Sequence, residues 1–238
     1  MDTGLEKKRV LVTGGTRGAG RATALAFARA GAQVAVCHRG GHRPDEELAA
    51  AVQAVHRADV SSPADVAALA AAVGEGLGGL DVLVNNVGAD GAAPLAELAE
   101  EEWARVLDLN ATSAYRVIRA ALPLLGEGAS VIAIGSAAAM RGRPAAAHYS
   151  AAKAALIGLT RSLCKELGPR GIRVNAIAPG MVDEGGAEPP GPIAERIIAA
   201  TPLGRLCRPE DVAGAALFLG GDTSAFLTGT TINLDGGI

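Results

Sequence analysis

Aromatic side chains are scarce in this sequence, with one Trp, two Tyr and three Phe among 238 residues. A sandwich or barrel rich in aromatic pairs is therefore disfavoured, whereas close-packed helices on a buried sheet suit the abundant Ala, Val, Leu and Gly. Cysteine is also sparse. Cys37, Cys164 and Cys207 are odd in number, far apart and without a C-x-x-C pair, which argues against a disulfide framework or structural zinc. Long apolar runs are missing, since nothing approaches the ~18 residues of a membrane span. The segment Met1 to Arg9 is polar and lacks the apolar core of a secretion signal. A dominant charge is absent too: the net value of −3 gives no global field for nucleic acid or a membrane surface. His38, His42, His56 and His148 show no H-x-x-x-H spacing with carboxylates, so no metal is expected. These absences lead us to expect a soluble, cytoplasmic protein without nucleic-acid or membrane partners.

What is present points to one large α/β domain. Hydrophobic residues make up 49% and charged residues 20%, which excludes a disordered chain. Strand-like runs occur at Arg9–Thr13, Gln33–Cys37, Gln53–Ala58, Val82–Asn85, Val131–Ile134, Arg173–Ala178 and Thr231–Leu234. Helical patterns lie between them at Gly18–Ala30, Pro63–Leu77, Glu100–Leu125, Ala147–Leu167 and Pro209–Leu219. Short buried strands alternating with longer helices predict a Rossmann-type, doubly wound parallel sheet in three layers. No linker divides the chain, so residues 1–238 read as a single domain with a small substrate loop at about 181–202. The segments Gly40–Glu46 and Val182–Pro192, dense in Gly, Pro and charge, are expected to be mobile.

The first strand runs into Thr13-Gly14-Gly15-Thr16-Arg17-Gly18-Ala19-Gly20, which opens a helix. Glycines there allow a tight turn, and a helix start offers amide groups and a positive dipole end to a pyrophosphate. The second strand ends Cys37-His38-Arg39 with no carboxylate before Asp45. An acidic residue at this place bonds the ribose hydroxyls of NAD, whereas Arg39 and Arg17 suit a 2′-phosphate. Tyr149 and Lys153 stand four residues apart and share a helix face, and Ser136 follows a strand at the sheet edge that binds ligands.

The chain resembles the short-chain dehydrogenase/reductase family along nearly its whole length. The likeness is carried by Thr13-Gly14-x-x-x-Gly18-x-Gly20, Asp59-Val60, Asn85-Asn86-Val87-Gly88, Pro179-Gly180 and the closing run Gly229 to Gly237. It implies a catalytic set of Asn110, Ser136, Tyr149 and Lys153. Tyr149 would be the general acid in hydride transfer to a carbonyl, its acidity favoured by Lys153 and the oxidised nicotinamide. Ser136 would orient the carbonyl oxygen, Lys153 would hold the nicotinamide ribose, and Asn110 would anchor a water on the proton path. NADP(H) is the implied cofactor. Its contacts would come from Gly14, Thr16, Arg17, Gly18, Ala19, Gly20, His38, Arg39, Asp59, Val60, Asn86, Val87, Gly88, Tyr149, Lys153, Pro179, Gly180 and Val182. Glu184 stands where the family often has a threonine on the carboxamide. His148 reads as a rim or packing residue.

Three functions remain open. A free small ketone, polyketide- or quinone-like, is the first substrate expected, because Gly126-Glu127-Gly128-Ala129-Ser130 is acidic where a carrier-docking reductase tends to be basic. Arg170 and Arg173 could still serve such a carrier, making a 3-oxoacyl thioester the second choice. A non-catalytic NADP-binding sensor or scaffold is the reading of another class. The long helices carry apolar residues on more than one side, and the resemblance implies a homotetramer or a dimer.

Overall fold

A computed structural model describes residues 3–183 and 191–238. Seven strands form one wholly parallel sheet: β1 (Arg9–Thr13), β2 (Gln33–His38), β3 (Ala54–Arg57), β4 (Leu80–Asn85), β5 (Leu125–Ile134), β6 (Arg173–Pro179) and β7 (Thr231–Leu234). Their order across the sheet is 3-2-1-4-5-6-7. The helices are α1 (Gly18–Arg29), α2 (Glu46–Ala51), α3 (Pro63–Leu77), α4 (Glu100–Leu107), α5 (Ser113–Ala121), α6 (Ala138–Arg141), α7 (Ala147–Leu167), α8 (Pro192–Ala200) and α9 (Pro209–Gly220).

The strands divide their side chains between two cores with a period of two. Val10, Val12, Val34, Val36, Val82, Val84, Ile132 and Ile134 pack under α1 and α9 with Phe27, Val212 and Leu219. The intervening Leu11, Ala35, Cys37, Leu83 and Val131 pack on the opposite face with Leu69 and Val73 of α3, Val117 and Ile118 of α5 and Leu167 of α7. Burial on both faces explains why these strands read as continuous apolar runs. It also gives the three layers, and the Rossmann-type class expected from the sequence is the one observed.

Some boundaries differ from expectation. The helix anticipated over Glu100–Leu125 is three pieces: α4, a π turn at Asp108–Thr112, and α5, which stops at Ala121 ahead of Pro123. Leu122 still has helical backbone, but Pro123 has no N–H to continue the helical ladder, so the segment turns and Leu125 already begins β5. The far end of the Gly40–Glu46 segment is anchored. Asp45 caps α2 through the Leu48 amide (2.9 Å) and accepts a hydrogen bond from Arg21 (2.8 Å). Most of the Val182–Pro192 segment, with Glu184, lies outside the described residues, whereas α8 occupies the rest of the expected substrate loop.

Candidate active site

A reversal of strand order between β1 and β4 opens a crevice at the carboxyl ends of the sheet, where open α/β sheets hold ligands. The cleft there has a volume of about 1320 Å³. Thr13 ends β1, and its hydroxyl accepts hydrogen bonds from the amides of Asn86 (3.1 Å) and Val87 (3.3 Å). The Asn86 carboxamide returns bonds to the carbonyls of Thr13 (3.1 Å) and Gly14 (3.2 Å), so the turns after β1 and β4 are fastened together. Gly20 makes this approach possible, because a Cβ there would strike the Gly14 carbonyl oxygen and the Asn86 amide nitrogen.

Every expected cofactor residue except Gly18 lines the cleft: Gly14, Thr16, Arg17, Ala19, Gly20, His38, Arg39, Asp59, Val60, Asn86, Val87, Gly88, Tyr149, Lys153, Pro179, Gly180 and Val182. Gly18 instead opens α1 with a left-handed backbone (φ 50°). Arg17 and Arg39 are both exposed on its wall. Asp59 would be pushed up by burial, but hydrogen bonds from the Ser61 hydroxyl (2.6 Å) and amide (2.9 Å), with the charge of Arg39, hold it below its usual value. The donor set therefore suits a phosphorylated dinucleotide: a helix start without acidic residues, and two guanidinium groups in place of a carboxylate.

Ser136, Tyr149 and Lys153 meet on the cleft wall. Ser136 follows β5, Tyr149 lies in the first turn of α7, and Lys153 stands one turn further on. The Lys153 side chain is buried at 4% exposure and donates from Nζ to the Ile134 carbonyl (3.0 Å). Desolvation pulls its ammonium down to about 8. Nζ is 5.9 Å from the centroid of the Tyr149 ring. The phenol is shifted opposite to expectation: burial raises it, outweighing a hydrogen bond with Ser136 and the charge of Arg143. The lysine's bond is to a backbone carbonyl, so burial dominates at the tyrosine.

Asn110 does not line the cleft. It is buried in the π turn, where Nδ2 donates to the carbonyls of Val106 (2.8 Å) and Ala89 (2.9 Å). Its Oδ1 is buried without a partner. Gly88 brings it near Lys153, since a Cβ at that position would lie 2.6 Å from Asn110 Oδ1 and 2.9 Å from Lys153 Nζ. Single-turn π insertions recur at functional sites, and this one aims a carboxamide oxygen toward the lysine.

A family model described as enoyl-(acyl carrier protein) reductase matches residues 14–238. A 3-oxoacyl-[acyl-carrier-protein] reductase of Synechocystis is 38% identical over 99% of this chain and 98% of its own length. A 3alpha-hydroxysteroid dehydrogenase of Mediterraneibacter gnavus is 35% identical over 98% of this chain and 97% of its own. The solved structure of a short-chain dehydrogenase/reductase from Serratia marcescens superimposes with a TM-score of 0.93 at 32% identity, covering 98% of both chains. The chain belongs to the short-chain dehydrogenase/reductase family. It is an oxidoreductase acting on CH–OH or C=O groups.

In this short-chain oxidoreductase several cleft residues escaped the sequence reading. Asp90 and Arg143 form an ion pair beside Tyr149, with the Arg143 guanidinium carbon 5.0 Å from the ring centroid. Arg105, Arg141 and Arg205 also line the cleft, with Ile193 and Ile197 of α8. No shared position signals them, since Arg105 and Arg141 lie in the last turns of α4 and α6, Ile193 and Ile197 in α8, and Asp90, Arg143 and Arg205 in loops. His148 is fully buried with both ring nitrogens unpartnered, 3.9 Å from Glu102 Oε1, so it is a packing residue and not part of the rim.

The residues weighed for carrier docking are elsewhere. Glu127 lies in the first half of β5, and Arg173 begins β6, at the edge of the sheet opposite the cleft. Arg170 donates to the carbonyls of Leu122 (3.1 Å) and Leu125 (3.0 Å), whereas Arg173 is buried against Ser224 (2.9 Å) and Leu219 (2.8 Å). Within one chain, neither the acidic segment nor these arginines flanks the mouth. Among the described residues no cluster of His, Cys, Asp or Glu is placed to hold a metal ion. None of the helices among them is long and apolar enough to cross a membrane.

Proposed function

We propose that the chain reduces a ketone to a secondary alcohol with NADPH, and that the ketone is the 3-oxo group of an acyl thioester. The observation that carries the reduction is the Tyr149 phenol, which shares the wall of the cleft with Ser136 and stands one turn from the buried Lys153. NADPH supplies the hydride when bound. Arg17 and Arg39 would hold its 2′-phosphate and the start of α1 its pyrophosphate, with Asp59 and Val60 on the adenine side and Lys153 on the nicotinamide ribose. The Ser136 hydroxyl donates to the substrate carbonyl oxygen and orients it. Tyr149 gives that oxygen the phenolic proton. A phenol raised by burial is fully protonated near neutrality, which is the state a general acid must start from. The unpartnered Asn110 Oδ1 would take a water that returns a proton toward Lys153.

The thioester was the second substrate class expected from the sequence, and the relatives favour it. A family model and a 38% identical relative both carry acyl-carrier reductase names. One observation favours the free ketone instead. Arginines around the mouth are already matched to acids, Arg105 with Glu102, Arg143 with Asp90 and Arg205 with Asp211, leaving little net positive field for an acidic carrier. Residues 181–202 would select the substrate, a homotetramer or dimer would be the working form, and the cytoplasm its compartment.

The reading is tested with purified protein, NADPH or NADH, and a 3-oxobutanoyl thioester on carrier protein beside free ketones. A higher kcat/KM for the thioester is expected, and a higher value for free ketones would select the second reading. Tyr149→Phe should retain NADPH binding and lose most turnover. Arg39→Asp should reverse the cofactor preference toward NADH; an unchanged ratio of kcat/KM values would refute the phosphate assignment.

A further inference from the structure

The loop that leaves β4 and the loop that enters α7 face one another across the mouth of the cleft, and one ion pair joins them. Arg143 donates from Nη1 to Asp90 Oδ2 (3.0 Å), from Nη2 to Asp90 Oδ1, and from Nη2 to the Gly91 carbonyl (2.9 Å). The Gly91 amide completes the knot by donating to Asp90 Oδ1 (2.7 Å). A backbone bond from the Ala93 amide to the Ala145 carbonyl (2.7 Å) fastens the same two loops. An isolated exposed ion pair contributes little. This one is bidentate with a third acceptor, and its guanidinium stands over the Tyr149 ring, 5.0 Å from the centroid.

We propose that Asp90 and Arg143 are a positioning pair for Tyr149: Arg143 orients the ring and sets the charge beside it, and Asp90 holds Arg143 in place. The assignment rests on the reading of Tyr149 as general acid. It extends that reading to a guanidinium over the Tyr149 ring and to the carboxylate that holds it, neither of which belongs to the Asn110–Ser136–Tyr149–Lys153 set.

The groups around the phenol come from each packed element. They are Ser136 after β5, Lys153 of α7, Arg143 from the loop entering α7, and Asp90 from the loop leaving β4, while His148 of α7 and Glu102 of α4 lie beside Gly91 on the Asp90 loop. Arg143 favours the phenolate, whereas Asp90 opposes it. Asp90 is itself held ionised by Arg143 and the Gly91 amide against the pull of burial. Removing either partner therefore leaves the other uncompensated, and the two losses act on Tyr149 in opposite directions.

The chain has only two tyrosines, so the test can be read without turnover. Tyr115 is half exposed on α5. In a Tyr115→Phe background the ultraviolet absorbance of tyrosinate reports Tyr149 alone. Against that background Asp90→Asn moves the transition to lower pH and Arg143→Met moves it to higher pH, while the double variant returns near the parent. The alkaline limb of kcat/KM for carbonyl reduction follows the same order, and Arg143→Met lowers turnover near neutrality by roughly tenfold or more through misplacement of the acid. A transition that stays put in both variants, or moves the same way in both, overturns the pair. Tyr149→Phe separates the two layers: retained turnover there defeats the general-acid reading. Lost turnover with immobile titrations defeats the positioning pair alone.

Discussion

Lys153 should make the protein less stable than its shape allows, and replacing it gives a sharp test. The ammonium is held at 4% exposure, with the Ile134 carbonyl as its hydrogen-bond partner, and desolvation brings it from 10.5 down to about 8. Between those values the unfolded chain keeps a proton that the folded chain has released. Stability from this group therefore rises with pH across the window and is lowest below about 8. The full displacement corresponds to about 3 kcal/mol. Of this, about 2 kcal/mol is recovered between roughly pH 7 and pH 9.5. Lys153→Met removes the titration. It also strips the Ile134 carbonyl of its partner, a cost of about 1–3 kcal/mol that does not vary with pH. The decisive quantity is therefore the difference between wild type and variant as pH changes. Burial lifts the thiols of Cys37 and Cys207 to about 11 and also raises Tyr149; all three remain in both proteins, so they cancel in that difference. Urea unfolding of both proteins without cofactor, near pH 7 and pH 9.5, should show wild type gaining about 2 kcal/mol on the variant. That equals about 4–8 °C in melting temperature for a chain of this length. A gap independent of pH would mean that the lysine is not desolvated in the free enzyme.

Gly88→Ala should damage the site while leaving the fold standing. The new methyl group would press on Asn110 Oδ1 and Lys153 Nζ, and both groups are tied, by the Val106 and Ala89 carbonyls and by the Ile134 carbonyl. Turnover should fall by roughly tenfold to a hundredfold with at most about 1–3 kcal/mol lost in urea, and unimpaired turnover would contradict the packing. At the opposite edge of the sheet, Asp81 accepts hydrogen bonds from the Arg9 amide (2.8 Å), Nε (2.9 Å) and Nη2 (2.7 Å), which hold its carboxyl below the usual range. Asp81→Asn should cost about 1 kcal/mol at neutral pH. That stability is present above the unfolded value near ~4 and fades as pH falls through the lower folded value, so acid unfolding curves of the two proteins should converge.

The fold was legible wherever the signal was local. Arg9–Thr13, Pro63–Leu77, Ala147–Leu167 and Thr231–Leu234 have the boundaries read from the sequence. In α3 the reasons are visible: Ser62 caps the Asp65 amide, Pro63 starts the helix and Gly78 closes it in a left-handed conformation. Short α2 and α8 were missed, because Glu46–Ala51 and Pro192–Ala200 are too brief for apolar periodicity to stand out from a polar loop. The π turn was equally hidden. Its two Asn110 hydrogen bonds include one to Ala89 across 21 residues, and a periodicity argument sees only the four-residue bond back to Val106. The direction of the Tyr149 shift depends on burial, which no spacing encodes.

Arginine shows most clearly what the sheet adds to the sequence. At the amino edge Arg9, Arg170 and Arg173 serve the frame, bonding a strand-start carboxylate, loop carbonyls and a buried serine. At the carboxyl edge Arg17, Arg39, Arg105, Arg141, Arg143 and Arg205 all face one cleft. The residue type is the same, and only strand direction tells the two sets apart. That is why Arg170 and Arg173 looked like docking residues in the sequence, while Arg143, with its partner 53 residues away, drew no notice. In a parallel sheet the carboxyl ends converge on one crevice, so a charge there acts on the substrate, and the same charge at the other end acts on the fold. Substituting Arg143 should therefore alter pH dependence and turnover, whereas substituting Arg173, buried against Ser224 and Leu219, should alter stability first.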